Sequence, residues 1–235
     1  TLKPEWKNVV VLGRGVGLAT MAPISQLAAE RGVRVTSILS ARKPELVVAE
    51  MKKYKALYNV TNFDFYDLTA IVRKQWIADF CNLLIKEELN VTWQLASGTR
   101  SEAIDDEITP LLYKAGCRLV IYAPESGSPE ELARIKKKVK LPRLEESLRG
   151  ACKHGLKVMV NIILFPDDTR KDVLETFKFM LRCSWLGLHD IAFVPYVPYP
   201  GAELYNQMVG DGRLPPMSDE YFISLLTHSD ISSAK

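Results

Sequence analysis

Acids, amides and hydroxyls recur in this 235-residue sequence at one kind of place, next to the end of an apolar, β-branched run. Asp67 follows NFDFY; Ser97, Thr99 and Arg100 follow VTWQLA; Glu125, Ser126 and Ser128 follow RLVIYAP. Asn161 lies within KVMVNIILF, with Asp167 and Asp168 just beyond it, and Tyr196 and Tyr199 follow DIAFVP. Carboxylates and amides can accept hydrogen bonds from the hydroxyls and ammonium of a small polar ligand, and the fork of Arg100 can grip a carboxylate. For any one of these residues the ordinary use is to cap the next helix, and Arg100 has a second option in the acidic run Asp105, Asp106 and Glu107. Five successive run ends of this kind point to one broad site for a small molecule.

A second candidate is the turn GRGVG after NVVVLG, with Gly13, Gly15 and Gly17. Gly13 permits a tight turn, Gly15 a close approach of a pyrophosphate, and the following helix N-terminus favours its charge. Against the dinucleotide fingerprint, the third glycine falls on Leu18, and the acid expected after the second strand is replaced by Ser40 and Arg42. Arg42 suits a 2′-phosphate instead, so NAD(P) is a possible ligand of this turn. The four cysteines, Cys81, Cys117, Cys152 and Cys183, are each more than thirty residues apart in apolar contexts. That spacing is neither a disulfide framework nor a metal cluster and reads as buried thiols. His154, His189 and His228 are scattered and in no metal spacing, so no metal ligands are assigned.

The elements that must position these groups alternate along the whole chain. Strand-like runs are NVVVLG, RVTSILS, NFDFYDL, VTWQLAS, RLVIYAPE, KVMVNIILF and DIAFVPYV. Between them lie the helical patterns MAPISQLAAERG, PELVVAEMKKY, RKQWIADFCNLLIKEE, DEITPLLYKAG, RLEESLRGACKHG and TRKDVLETFKFMLRC. Gly32, Gly116 and Gly155 mark helix ends, and Pro44 and Asp172 mark helix starts. Such alternation predicts an α/β fold: a parallel sheet of about seven strands covered by helices, with the functional residues along its C-terminal edge. The basic run RIKKKVK reads as a solvated helix end, with phosphate or RNA as the sharper alternative. The stretch FVPYVPYPGAELY either lines the mouth of a barrel or packs as a rigid extended segment.

Hydrophobic residues make up 47% and charged residues 25%, and the net charge of +3 does not by itself indicate nucleic acid or an anionic membrane. No apolar run is long enough to span a bilayer, and the expected location is cytoplasmic.

Residues 8–45 resemble the opening of the nicotinamide-nucleotide half of the ferredoxin–NADP reductase family, whose G-x-G-x-G turn matches Gly13, Gly15 and Gly17. From residue 42 to 222 the sequence resembles the radical S-adenosylmethionine (SAM) superfamily. Its nearest branch is the one whose members often carry a cobalamin-binding domain. The motifs are NFDFYDLTAI, WQLASGTRSEAID, LLYKAGCRLVIYAPESGSPEELARIKKK, GLKVMVNIILFPDDTRKDV and PYPGAELY. This resemblance implies a partial (βα) barrel with SAM at its mouth: Asp67 meeting the amino group, Glu125 and Ser126 along the ribose and methionine, Asn161 near the adenine, and Arg100 on a carboxylate. It also implies a four-iron cluster, yet the C-x3-C-x2-C motif that ligates one is missing from this sequence, where SILSARKPE stands after the matching strand. Leu164 replaces a glycine of the family's fifth-strand motif and is expected to crowd the adenosine or shift the backbone there.

The combined expectation is one α/β domain over 1–222, with a reductase-like βα unit (1–41) added to a radical SAM-like barrel (42–222), and a C-terminal tail at 223–235. RVTSILS is expected to pair with NFDFYDL, putting all seven strands in one sheet. Such a join would arise equally from natural recombination, an engineered chimera or gene assembly. The expected function is SAM binding without the means to start radical chemistry. The alternatives are an NAD(P)-binding, electron-transfer or reductase-like fragment, and a non-catalytic barrel.

Overall fold

The computed structural model describes residues 8–13, 34–39, 43–65, 73–99 and 104–214. The described residues hold seven parallel strands: β1 (Asn8–Gly13), β2 (Arg34–Leu39), β3 (Asn62–Phe65), β4 (Thr92–Leu95), β5 (Cys117–Glu125), β6 (Lys157–Leu164) and β7 (Asp190–Pro195). The described helices are α1 (Pro44–Tyr58), α2 (Lys74–Lys86), α3 (Ile108–Lys114), α4 (Pro129–Arg134), α5 (Leu141–Lys153), α6 (Arg170–Trp185) and α7 (Glu203–Gly210). The short helices α4 and α7 have no counterpart in the sequence-based assignment, because a six- or eight-residue helix shows too little periodicity to read. MAPISQLAAERG and Gly32 lie outside the described residues.

The strands form two sheets, which corrects the single-sheet expectation. β1 and β2 pair with each other from Asn8↔Arg34 to Gly13↔Leu39, and β3-β4-β5-β6-β7 form a separate five-stranded sheet in sequence order. RVTSIL pairs with β1 and not with NFDF. β3 is only four residues long, and its polar positions turn toward β4: Gln94 donates to Asp64 (2.7 Å), and the Thr92 hydroxyl donates to Asn62 (2.9 Å). The five-stranded sheet is a partial α/β barrel not closed by hydrogen bonds, its order following from βα units of one hand.

Alternation along the strands decides which face is core. Val158, Val160 and Ile162 of β6 are buried under the helices, and so are Val120 and Tyr122 of β5. Trp93 of β4 packs edge-on to Phe65 and Phe80, and its indole N–H donates to the Ala115 carbonyl at 2.9 Å. Burying such a ring contributes about 1.5–3 kcal/mol, provided that its N–H is satisfied, as it is here. The hydroxyl of Tyr122 reaches Ser147 (2.8 Å), which donates onward to the Ile104 carbonyl. No helix among the described residues is long and apolar enough to cross a membrane.

Candidate functional site

The residue that ends β5 is the focus. Glu125 has φ 72, a left-handed conformation that a non-glycine residue adopts at a cost of roughly 1–3 kcal/mol. The β5–β6 register shifts between Tyr122 and Glu125, so the strand is re-aimed just before it leaves the sheet. The Glu125 carboxylate is partly exposed and accepts from Lys137 Nζ at 2.8 Å. Lys137 is placed by the turn closing α4, where its amide donates to the Leu132 carbonyl at 2.8 Å. Lys136, left-handed at φ 58, pairs instead with Glu203 of α7 at 2.6 Å. The run RIKKKVK is therefore more than a solvated end, for two of its lysines are committed to acids. Sequence reasoning missed Lys137, whose partner lies twelve residues upstream with a helix between them.

The turn behind Glu125 is locked to α6. Ser126 hydrogen-bonds to Thr176 through their hydroxyls (3.0 Å), and the Gly127 amide donates to the same Thr176 oxygen (3.1 Å). Ser128 caps α4 by accepting from the Glu131 amide and donates its hydroxyl to Asp172 at 2.6 Å. Asp172 in turn completes a capping box with Thr169 at the start of α6. Hydrogen bonds from the Ser128 and Thr169 hydroxyls hold the Asp172 carboxyl down at about 2. Arg134 lies between this acid and two others: it pairs with fully buried Glu131, lies 3.3 Å from Asp168 and approaches Asp172 at 4.0 Å. Burial pushes the Asp168 carboxyl up. The three carboxylates have the spacing of a cation site, and the guanidinium supplies the positive charge.

Asn161 lies on β6 between the helix-facing Val160 and Ile162, so it belongs to the opposite, concave face. Its Oδ1 is buried and has no hydrogen-bond partner among the described residues. Leaving such an acceptor dry costs about 1–3 kcal/mol, which an N–H or O–H of a ligand would recover. The same face holds a polar group that the sequence did not single out, Asp64 accepting from Asn62 (2.8 Å) and Gln94 (2.7 Å). Toward β7 the backbone at Leu164 is undisturbed. The β6–β7 register is regular through Leu164↔Pro195, and alternation puts Leu164 on the side of Val160 and Ile162. Asp67, Arg100, Gly15 and Gly17 lie outside the described residues, and Gly13 ends β1 in the separate two-stranded sheet. In the acidic run offered as an alternative partner of Arg100, Lys74 bonds both Asp105 (2.6 Å) and Glu107.

The cysteines do not suit an iron–sulfur cluster. Cys81 on α2, Cys117 on β5 and Cys183 on α6 are fully buried, and Cys152 on α5 is half-buried. Burial pushes Cys117 and Cys183 up to about 12 and raises Cys81 and Cys152 as well. A cluster needs thiolates gathered on one loop, and these are thiols held protonated on four separate elements.

The family model of the radical SAM superfamily matches residues 28–180. The chain belongs to the radical SAM superfamily. That match begins inside the stretch 8–45 likened to the reductases and includes RVTSIL, and nothing in the comparisons supports the reductase resemblance or an NAD(P) ligand. An uncharacterized methyltransferase of Pyrococcus horikoshii is 27% identical over 175 residues, which are 74% of this chain and 37% of that protein. The anaerobic magnesium-protoporphyrin IX monomethyl ester cyclase of Rubrivivax gelatinosus is 24% identical over 169 residues, 71% of this chain and 30% of the cyclase. The chain thus spans about a third of the length of these relatives. Among solved structures, a radical SAM methyltransferase from Kitasatospora setae, with cobalamin and a 4Fe–4S cluster bound, superposes with a TM-score of 0.57. It shares 18% identity, over 79% of this chain and 34% of that one, and supports the partial-barrel fold.

Proposed function

We propose that this superfamily domain binds SAM along the C-terminal rim of its sheet, with the amino-acid end of the ligand at Glu125 and Lys137. The observation that carries this reading is that pair. An α-amino acid presents an ammonium and a carboxylate, and a carboxylate and an ammonium 2.8 Å apart offer the complementary pattern. The left-handed backbone of Glu125 is a local cost that a purely structural acid would not require. Asn161 Oδ1 would accept from the exocyclic amine of adenine. Asp67 would meet the amino group and Arg100 a carboxylate, while Ser126 acts from behind by fixing the turn to Thr176.

When bound, SAM supplies an activated methyl group or an adenosyl fragment. The cysteine set does not fit the cluster with which the family cleaves it, so the proposal ends at binding and positioning. The glycines Gly13, Gly15 and Gly17 have no part in this reading. The Pyrococcus relative is named a methyltransferase, which makes methyl transfer the favoured chemistry for a whole protein containing this domain.

Calorimetric titration with SAM tests the reading. Wild type is expected to bind, with Glu125→Gln and Lys137→Met each weakening affinity about tenfold, as for loss of a charge-assisted bond. No heat from wild type, or equal affinity in all three proteins, refutes it. After anaerobic reconstitution with iron and sulfide, iron should stay well below four per chain; a stoichiometric cluster would overturn the second half of the reading.

A further inference from the structure

The concave face of the five-stranded sheet has a polar end that SAM at Glu125 leaves unused. On β3, Phe63 and Phe65 pack against the helix-side core, so Asn62 and Asp64 take the other face. On β4 the buried Trp93 and Leu95 likewise leave Thr92 and Gln94 on that face. The register sets Asn62 beside Thr92 and Asp64 beside Gln94. These four side chains form one network. The Thr92 hydroxyl donates to Asn62 Oδ1 (2.9 Å), and the amides of Asn62 (2.8 Å) and Gln94 (2.7 Å) both donate to Asp64 Oδ1.

Both donors converge on Oδ1, and Oδ2 of the half-buried Asp64 has no hydrogen-bond partner among the described residues. Neutral amides thus orient this carboxylate without compensating its charge. The acids along the rim differ: Glu125 has Lys137, Asp167 has Arg213, and Asp168 and Asp172 share Arg134. Asp64 forms no ion pair among the described residues. The next strands continue the concave face with apolar groups. Leu119 stands in register with Gln94 and Met159 with Ile121, on the face opposite the helix-side Val120 and Tyr122. None of Leu119, Ile121 and Met159 belongs to the helix-side core. An oriented acid with a free oxygen therefore lies at one end of an apolar wall, the usual make-up of a small-molecule subsite.

We infer that Asp64 binds the ammonium or amidinium end of an organic cation whose apolar body lies on Leu119, Ile121 and Met159. A neutral hydroxyl or amide can fill the free oxygen but leaves the charge uncompensated, whereas a protonated amine does both. A hard metal ion needs several oxygens, and the side chains bonded to Asp64 present N–H donors to it. With SAM at Glu125, the same wall would hold the second substrate. That placement rests on the SAM reading; the cation subsite itself does not.

The test is a ligand-observed NMR titration of the full chain, without SAM, using phenethylamine and its neutral isostere 2-phenylethanol. Wild type is expected to bind the amine at least about tenfold more tightly than the alcohol, with the preference shrinking as salt is raised. Asp64→Asn is the informative variant, because an amide oxygen still accepts from Asn62 and Gln94 while the charge is gone. It should abolish the preference and keep the urea midpoint and SAM affinity of wild type. Asn62→Ala removes one of the two orienting bonds at an exposed position and should weaken amine binding about threefold. Equal affinity of wild type for amine and alcohol, or binding of neither, overturns the inference. So does an Asp64→Asn protein that keeps the preference. If Asp64→Asn lowers the urea midpoint, Asn62→Ala decides, and an undiminished amine preference there overturns the inference.

Discussion

Gly127→Ala should destabilise the protein well beyond the usual cost of a methyl group. Gly127 needs no unusual backbone angle; what excludes a side chain is the close approach of α6. A Cβ at this position would lie 2.5 Å from the Phe179 Cβ and 2.8 Å from the Thr176 Cα. Neither atom can swing away by a rotamer change, so α6 must retreat by roughly half an ångström or more to reach ordinary carbon–carbon contact. That movement opens the packing around the fully buried Phe179 and lengthens the two hydrogen bonds that Ser126 and the Gly127 amide make to Thr176. Overpacking costs about 1–3 kcal/mol and each weakened buried hydrogen bond up to about 1 kcal/mol, so a loss of about 2–4 kcal/mol is expected. Urea unfolding followed by circular dichroism measures it as a lower midpoint at unchanged slope. Gly210→Ala is the control, because a Cβ there meets nothing within 4 Å and the added methyl should be neutral or slightly stabilising. A Gly127→Ala midpoint within about 0.5 kcal/mol of wild type would refute the steric reasoning.

Two further outcomes follow from the same turn. Asp172 has a carboxyl depressed to about 2, so its stabilisation is fully present above the ordinary carboxylate range near 4 and is lost as pH falls through 2. Asp172→Asn should remove about 2 kcal/mol at pH 7 and flatten stability between pH 4 and 2; an acid limb as steep as that of wild type would contradict it. Glu125→Gly should relieve the left-handed strain and raise stability by about 0.5–1 kcal/mol while weakening SAM binding, and a loss of stability would show that the Lys137 pair outweighs the strain.

The five strands from NFDF to DIAFVP and the longer helices between them were legible because each strand keeps its alternation or apolar run and each long helix its apolar periodicity, with a capping box at the start of α6. Gly116 and Gly155 end α3 and α5 at φ 97 and 81, as glycines after a helix should. What was not legible is that the first two strands, paired with each other, stand apart from the other five. A parallel strand reads the same whichever neighbour it takes, and only the register shows that β2 spends its pairing on β1. In the site, chain position put Glu125 and Asn161 along the rim of the sheet, but it could not separate ligand-facing from support roles. Ser126 and Ser128 are adjacent in kind to Glu125, yet their hydroxyls turn to Thr176 and Asp172. Lys137 and Asp64 were invisible because a lysine in a basic run and an acid inside a strand carry no spacing signal.

The contrast between Glu125 and the serines that follow it has a physical logic. A residue held left-handed at a strand end persists only if its surroundings fix it more strongly than the strain releases it. Here the fixing groups all lie on the helix side: the capping box of Thr169 and Asp172, the Ser128 hydroxyl bridging α4 to α6, and Arg134 compensating three acids, two of which are buried. Together these hydrogen bonds contribute a few kcal/mol at about 1 kcal/mol each, enough to offset a strain of roughly 1–3 kcal/mol. The carboxylate left over is partly exposed, with Lys137 as its only partner among the described residues. A group that is rigid in backbone and nearly free in side-chain contacts is poised for exchange, because a ligand need displace only Lys137 and the cost of placing Glu125 has already been met within the fold.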